Sequence, residues 1–183
     1  MKTRKAISTQ PLIRDFTPER IERQTLKRIV QAGRRTPGSD DERPLSFIVI
    51  LDSEQLTKLA GVGARSGHIA RAAAAVALVT PDVVERWVRE TIAFDTGRVA
   101  QNLMLAAWDL GVGSVDSAVF DPALAQQVLG YPDGFRCDHI VSFGHPSENV
   151  PPTKRVRSLP ASTHRDRWEE KDRAEDDFNG YQA

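Results

Sequence analysis

One segment of the chain combines closely spaced glycines with a long apolar stretch. Gly111-Val112-Gly113-Ser114 follows "FDTGRVAQNLMLAAWDL", which begins at Phe94. Glycine lets a backbone approach a ligand closely, but Gly111 is also a normal residue for ending a helix. A dinucleotide-binding fingerprint follows a strand and contains a third glycine, so this segment does not have that motif. By itself, the glycine pair is a weak indication of a ligand site.

Residues that ligate metals or act as nucleophiles are few. The four histidines, His68, His139, His145 and His164, do not have the short paired spacing that is typical of zinc ligands. The single cysteine, Cys137, cannot build a disulfide framework, which suits a reducing cytosol. We therefore expect no metal site and a cytoplasmic location. His68 and His145 are candidate proton donors.

Composition describes an ordinary globular chain. Its 183 residues include 40% hydrophobic residues, and 25 Lys+Arg balance 25 Asp+Glu. Because no net field attracts nucleic acid or an anionic membrane, neither is expected as a partner. No apolar run approaches the roughly 20 residues that a membrane span needs. One domain is expected over 1–159, followed by a charged tail over 160–183 that is either disordered or packed on a partner.

The positions of apolar residues predict an α/β domain with few, short strands. Caps, prolines and glycines predict helices over 17–33 and 53–60, then from Pro81, from Phe94 and over 122–130. Apolar runs predict strands over 45–52, 72–80, 112–119 and 137–146. Ser53 is the expected cap of the second helix. The glycine-rich segment "GVGARSG" (61–67) is interpreted as a mobile loop.

The helix that begins near Phe94 is apolar around most of its surface. Val99, Leu103, Ala106 and Leu110 form one stripe, which neighbouring alanines, a methionine and a tryptophan widen. A helix of this kind is buried on several sides. It is therefore a central core helix, part of a subunit interface, or both.

Further motifs occur in order along the chain: "STQPLIRDF", "TPGSDDERP", "QNLMLAAWDLGVGS" and "FGHP", followed by a basic pair. Together they resemble the FMN-dependent nitroreductase family over roughly residues 6–159. The third motif (101–114) is the most specific, since it matches the family pattern Gln-Asn-Leu-x-Leu-Ala-Ala leading to Leu-Gly-x-Gly-Ser nearly throughout. In the fourth, His145 stands where the family has tyrosine.

The resemblance implies a homodimer in which a mixed sheet lies between helices and the long helix is in the dimer core. It implies FMN in each of two clefts at the subunit interface, with the glycine pair letting the backbone approach the flavin ring. It also implies a set of cofactor-binding residues: Gln10, Arg14, Ser39, Asp41, Arg43, Gly113, Ser114, Arg155 and Arg157.

The sequence departs from the family pattern at several of these positions. Gln10, Pro11 and Leu12 stand where the family has Arg-Arg-Ser, which grips the cofactor phosphate, and only Gln10 offers a side-chain donor. Asp41 replaces an asparagine that contacts the flavin, and Arg43 replaces a glutamine. Arg43 is interpreted as the cation near the ring.

The implied activity is an oxidoreductase that takes electrons from NADH or NADPH through FMN and reduces nitro, quinone or similar small electrophilic compounds. Two alternatives stay open. One is a non-catalytic or weakly flavin-binding dimer of the same fold, and the other is specialised flavin chemistry on the same scaffold. The loop at 61–67 is a candidate lid over the substrate.

Overall fold

The computed structural model describes residues 2–38, 45–147, 150, 162–164 and 167–168. The expected α/β class is confirmed, since helices cover a small antiparallel sheet. In chain order, the elements are α1 (Thr3–Thr9), α2 (Arg23–Arg34), β1 (Ser46–Ile50), α3 (Ser53–Leu59), a 3-10 helix (Gly67–Arg71), β2 (Ala74–Pro81), α4 (Arg86–Asp109), β3 (Gly113–Ala118), α5 (Pro122–Leu129) and β4 (Phe135–Gly144).

The sheet has the strand order β1-β2-β4-β3, and each neighbouring pair is antiparallel. A parallel pair, as a mixed sheet would need, does not occur among the described strands. One irregularity interrupts the pairing of β2 with β4. Leu78 lies opposite His139 but Val79 lies opposite Cys137, so Asp138 is an extra residue and forms a β-bulge.

Two apolar clusters cover the two faces of the sheet. On one face, α2 and α4 bury Ile29, Leu103 and Phe143 with the alternate residues of β2. On the other face, α3, α5 and the 3-10 helix bury Leu59 and Ile140 with the remaining residues of β2. Because β2 is buried on both faces, it is a continuous run of small apolar residues.

The single cysteine, Cys137, belongs to this core. Its side chain is buried beside the bulge, where its sulfur lies 3.4 Å from the carbonyl oxygen of His139. Burial raises the pKa of the Cys137 thiol to about 12. The thiol is therefore a packing group at neutral pH.

The predicted start of α2 at Thr17 is wrong, because the helix begins at Arg23. The backbone N–H of Thr17 donates to the carbonyl of His145 at 2.9 Å, and Phe16 forms a bridge with Pro146. This pairing holds the chain extended where Pro18 indicated the first turn of a helix.

The two helices predicted from Pro81 and from Phe94 are one helix, α4, of 24 residues. Pro81 is the last residue of β2, and the next N–H, that of Asp82, donates to the carbonyl of Gly134 at 2.8 Å. The pairing of β2 with β4 therefore continues past the proline and delays the helix to Arg86.

The other predicted elements are confirmed to within a few residues. Asp121 caps α5 by accepting the N–H of Leu124 at 2.9 Å, and Gly130 ends that helix in the left-handed conformation, with φ of 70°. The cap of α3 is Asp52, which accepts from Gln55, and not Ser53 as expected.

The loop at 61–67 is packed against the domain, contrary to the expectation of a mobile lid. Val62 and Ser66 are buried, and Oγ of Ser66 donates to the carbonyls of Gly63 at 2.6 Å and Ala60 at 2.8 Å. The carbonyl of Val62 also accepts the N–H groups of Phe120 and Asp121. Gly63 allows this close packing, since a Cβ there would lie 3.0 Å from the carbonyl oxygen of Ala118.

The chain divides into two units, Met1–Thr153 and Lys154–Ala183. In the second unit the rings of His164 and Trp168 stack with centroids 4.1 Å apart. The predicted division at 159/160 falls outside the described residues and stays a prediction. Among the helices that the structure describes, none is long and apolar enough to cross a membrane.

Candidate functional site

The segment 10–16 lies along the sheet and carries Arg14 to the outer edge of β3. The N–H of Ile13 donates to the carbonyl of Ser114 at 3.0 Å. Two glycines make room for the segment, since a Cβ on Gly113 would lie 2.9 Å from the side chain of Ile13, and one on Gly144 would lie 2.7 Å from the ring of Phe16. Arg14 lies between these contacts with its side chain exposed.

The two glycines of the pair have different structural roles in the described part of the chain. Gly111 has a φ of 77° and ends α4, as the helix-capping interpretation predicted. The side chain of Ile13 occupies the space that a Cβ on Gly113 would need, and Ser114 is only 2% exposed. The N-terminal segment occupies the space beside Gly113. Contacts of Gly113 and Ser114 with a cofactor stay a prediction.

Gln10 presents an unpaired donor beside α4. Its Oε1 accepts a hydrogen bond from Nε2 of Gln101 at 2.8 Å, while its own Nε2 is buried without a partner among the described residues. Trp108 fixes the same segment by donating from Nε1 to Oγ1 of Thr9 at 3.0 Å. A buried N–H without an acceptor is costly, so this donor fits an oxygen atom supplied from outside the chain. A phosphate or a flavin carbonyl satisfies that requirement.

An open groove of about 630 Å³ follows the outer face of α4 near this donor. The groove ends against Thr36, whose Oγ1 accepts from Nδ2 of Asn102 at 2.8 Å. Its lining consists of Thr36, Pro37, Ala93, Phe94, Gly97, Arg98, Gln101 and Asn102. The structure thus brings the helix of the most specific motif next to the start of the "TPGSDDERP" loop.

The remaining members of the predicted site cannot be placed. Ser39, Asp41, Arg43, Arg155 and Arg157 lie outside the described residues. Of the nine predicted site residues, the structure describes Gln10, Arg14, Gly113 and Ser114, and it brings all four to the segment that borders β3 and α4.

A buried pair of polar side chains lies near Arg14. His68 is 7% exposed, and its Nε2 is 3.2 Å from Oγ of Ser117. Burial lowers the pKa of His68, and the positive charges of Arg14 and Arg71 lower it further, against the opposing effect of a hydrogen bond to the backbone of Arg65. A neutral, buried imidazole is poorly suited to protonate a substrate, so the structure does not support the expected role of His68 as a donor.

A second pair, absent from the sequence predictions, joins β3 to β4. Nδ1 of His139 is 3.4 Å from Oδ2 of Asp116, and the two side chains are about 40% exposed. The hydrogen bond from His139 lowers the pKa of Asp116, and the same bond raises the pKa of His139, while burial opposes both effects. Arg14 is close enough to Asp116 to lower that pKa further. The signal available in the sequence was a charged residue within each of two strands, but their register was unknown.

No group of three or more metal-ligating side chains occurs in the described part of the chain. The chemistry offered by the site is that of hydrogen-bond donors, an exposed guanidinium and one histidine–carboxylate pair.

Comparison with known proteins gives consistent matches. A model of the Nitroreductase family matches residues 64–145, from the loop before the 3-10 helix through β4. A protein of Archaeoglobus fulgidus that carries the assignment NADH dehydrogenase/NAD(P)H nitroreductase is 26% identical over 169 residues, which is 90% of this chain and 97% of that protein. An NADPH-flavin oxidoreductase of Vibrio harveyi is 29% identical over 150 residues, which is 75% of this chain and 62% of that protein.

Solved structures share the fold. The NADPH:FMN oxidoreductase of Vibrio harveyi in complex with NAD+ superposes with a TM-score of 0.83 and 25% identity, covering 92% of this chain and 79% of that one. Nitroreductase A of Vibrio parahaemolyticus superposes with a TM-score of 0.84 at 22% identity, covering 92% and 77%. The second likeness is evidence for the fold alone.

The matched residues contain the 3-10 helix, β2, α4, β3 and β4, which form the sheet core and the outer groove. Among the described site residues, Gln10 on the N-terminal segment departs from the family pattern, since it presents an amide in place of a guanidinium. Over residues 64–145 the chain is thus similar to the nitroreductase family, and the solved structures share its fold.

Proposed function

We propose that the chain is a homodimeric, cytoplasmic, FMN-dependent oxidoreductase that uses NADH or NADPH to reduce nitro, quinone or similar small electrophilic compounds. The names of the relatives support this activity, since they include an NAD(P)H nitroreductase and an NADPH-flavin oxidoreductase. Bound FMN would supply the two-electron redox chemistry, and the chain would supply its position and its charge environment.

One observation carries the cofactor proposal: the buried, unpaired Nε2 of Gln10 beside the groove along α4. A donor at this place fits an FMN oxygen, and the exposed guanidinium of Arg14 adds a positive charge on the same segment. Pro11 and Leu12 add no side-chain donor. A single neutral donor holds a phosphate less tightly than an arginine does. We therefore infer weaker phosphate binding than in members that keep Arg-Arg-Ser.

The dimer proposal rests on the outer face of α4. Trp87 and Phe94 are 72% and 66% exposed, and they are two helical turns apart on one side of the helix. Gly97 lies three residues beyond Phe94 inside the helix, where glycine costs roughly 0.5–1 kcal/mol relative to alanine. Apart from the neighbouring residues and backbone of the same helix, no atom of the described residues comes within 4 Å of the place that a Cβ would occupy at Gly97. The close approach of a second copy accounts for all three residues.

The visible spectrum of the purified chain, measured before and after FMN is added and again after gel filtration, tests both proposals. A flavin band that stays with a dimer supports them. A colourless dimer that takes up no FMN would favour the non-catalytic alternative, and a monomer at all concentrations would contradict the dimer.

A substitution at Gln10 sharpens the test of phosphate binding. Gln10→Arg restores the charged donor of the family pattern, and we expect at least about tenfold tighter binding of FMN, because a charged hydrogen bond contributes about 1.5–3 kcal/mol. Riboflavin, which has no phosphate, should bind the two proteins equally in a fluorescence titration. Gln10→Met is the matched control, since it keeps the size and removes the donor. Equal tightening for riboflavin would contradict a phosphate contact.

A further inference from the structure

A second groove lies at the opposite end of the sheet from the N-terminal segment. It has a volume of about 180 Å³ and lies between the ends of β2 and β4 and the first half of α4. Ala93 lines both this groove and the larger one along α4, so the two are neighbours across one turn of the helix. Its polar lining consists of Thr80, Arg89, Thr96, Arg136, Asp138 and His139.

The β-bulge at Asp138 directly precedes His139. The extra residue shifts the register, so that His139 lies opposite Leu78 on one side and Ala118 on the other. Bulges are common next to functional sites because they change the direction of a side chain. Here the bulge belongs to the wall of the second groove.

His139 is held at one nitrogen and free at the other. Its Nδ1 is 3.4 Å from Oδ2 of Asp116, and its Nε2 has no hydrogen-bond partner among the described residues. A carboxylate behind one ring nitrogen orients the imidazole and favours the protonated form. The arrangement is the one expected of a proton donor whose second nitrogen faces a ligand.

The charges around His139 come from several elements. Asp116 on β3 is its direct partner, and the pKa of His139 is raised first by that hydrogen bond and further by the charge of Asp138, while burial opposes the rise. Arg136 is neutralised by ion pairs of 2.6 Å with Asp138 and 3.2 Å with Asp82.

Arg89 on α4 adds a positive charge to the same groove. On the other side of Asp116, Arg14 lowers the pKa of that carboxyl. Arg14 is also a predicted cofactor-binding residue. The pair therefore combines a residue that lines the second groove, His139, with a carboxylate that is influenced by Arg14.

We propose that this groove admits the electrophilic substrate and that His139, oriented by Asp116, is the acid that protonates it. The inference rests on the proposed oxidoreductase function. Its substrate class is a small quinone or a related compound with an oxygen that must gain a proton on reduction.

The proton balance of the reaction requires such an acid. A quinone, NAD(P)H and one proton give a hydroquinone and NAD(P)+, so one proton is needed beyond the hydride equivalent of the nicotinamide. His139 donates this proton from Nε2 to the substrate oxygen, becomes neutral, and regains a proton from water through the open side of the groove.

The test compares two electron acceptors in the flavin-loaded enzyme. Reduction of 1,4-benzoquinone needs a proton at the acceptor, whereas reduction of ferricyanide does not. We expect His139→Gln to lower kcat/KM for the quinone about 100-fold, within the usual range for general acid catalysis, and to leave ferricyanide reduction within about twofold. His164→Gln, in the second unit of the chain, is the matched control and should change neither rate.

Asp116→Asn tests the positioning role with a measurement that does not need turnover. Loss of the carboxylate should lower the pKa of His139 in an NMR titration, with the resonance assigned by its absence in His139→Gln. The pH at which quinone reduction declines should move down by the same amount, because activity is lost as pH rises through the pKa of the acid.

Equal losses with quinone and ferricyanide in His139→Gln would show a structural role and overturn the proposal. Full quinone activity in that variant would also overturn it. A wild-type chain that binds FMN and reduces ferricyanide keeps the proposed function whatever the variants show. A chain that binds no flavin refutes that function, and this proposal falls with it.

Discussion

Both halves of α4 carry large apolar side chains, but these side chains have opposite environments. In the half 98–109, Val99, Leu103 and Ala107 are buried against the sheet, and Leu103 fills the space beside Gly33. In the half 86–97, the large side chains Trp87 and Phe94 are exposed. The burial of apolar side chains therefore changes along the length of α4. In a typical surface helix, burial instead differs between the face that packs on the core and the face in solvent.

This difference separates two reasons for an apolar helix. The second half is explained by the core of the chain. The first half is not, because its aromatic side chains stay largely exposed in the described part of one copy. The sequence interpretation left core and interface open as alternatives, and the structure assigns the core to one half while the interface stays a proposal for the other.

The largest effect is expected in the buried half. Leu103→Ala should lower the free energy of unfolding by about 2–5 kcal/mol, because it removes buried methyl groups and leaves a cavity beside Gly33. Urea denaturation, monitored by circular dichroism, measures the change. Trp87→Ala, examined under conditions that keep the chain monomeric, is the comparison and should cost much less. If both variants lost a similar amount of unfolding free energy, the two halves of α4 would contribute equally to the stability of the single chain.

The exposed half should instead control assembly. Trp87→Ala should raise the dimer dissociation constant about 30-fold, the equivalent of about 2 kcal/mol, which is typical of a central aromatic residue in an interface. Sedimentation equilibrium provides the measurement. Ile7→Ala is the control, since Ile7 is also exposed but lies on α1. An unchanged constant for Trp87→Ala would remove this face from the interface.

Gly113 and Gly97 should respond in opposite directions to substitution by alanine, with the smallest changes in stability of the three comparisons. Gly113→Ala should destabilise the chain by about 1–3 kcal/mol through overpacking against Ile13. Gly97→Ala should stabilise the monomer by roughly 0.5–1 kcal/mol and weaken the dimer. Thermal unfolding at low and high protein concentration separates the two effects. A stabilised and equally tight dimer for Gly97→Ala would show that nothing approaches this position closely.

Local sequence signals predicted the strands well and the helix starts poorly. The apolar runs at 45–52 and 72–80 are strands as predicted, but only β2 is buried along its length, whereas β1 is an edge strand in which Val49 is exposed. Pro18 and Pro81 each resembled the first residue of a helix, but both follow residues that pair with β4 or with the turn after it. Pairing between distant segments decided these boundaries, and no local pattern contains that information.

Only the parts of the candidate site that lie within a recognisable sequence motif could be predicted. The match in 101–114 identified the helix that borders the groove, whereas the hydrogen bond between Gln10 and Gln101 joins residues 91 positions apart. The pair of Asp116 and His139 depends on the register of β3 against β4, in which Asp116 lies opposite Val141. Single charged residues in strands indicate neither their partners nor the groove that they face.

The inert thiol of Cys137 makes chemical labelling of this molecule simple. A sulfhydryl that stays protonated at neutral pH reacts slowly with maleimides and disulfide reagents, which require the thiolate. Cysteines introduced on the outer surface of α4 would therefore react almost alone, without first removing the native one. Spin labels or crosslinkers placed there could measure distances between two copies in solution directly.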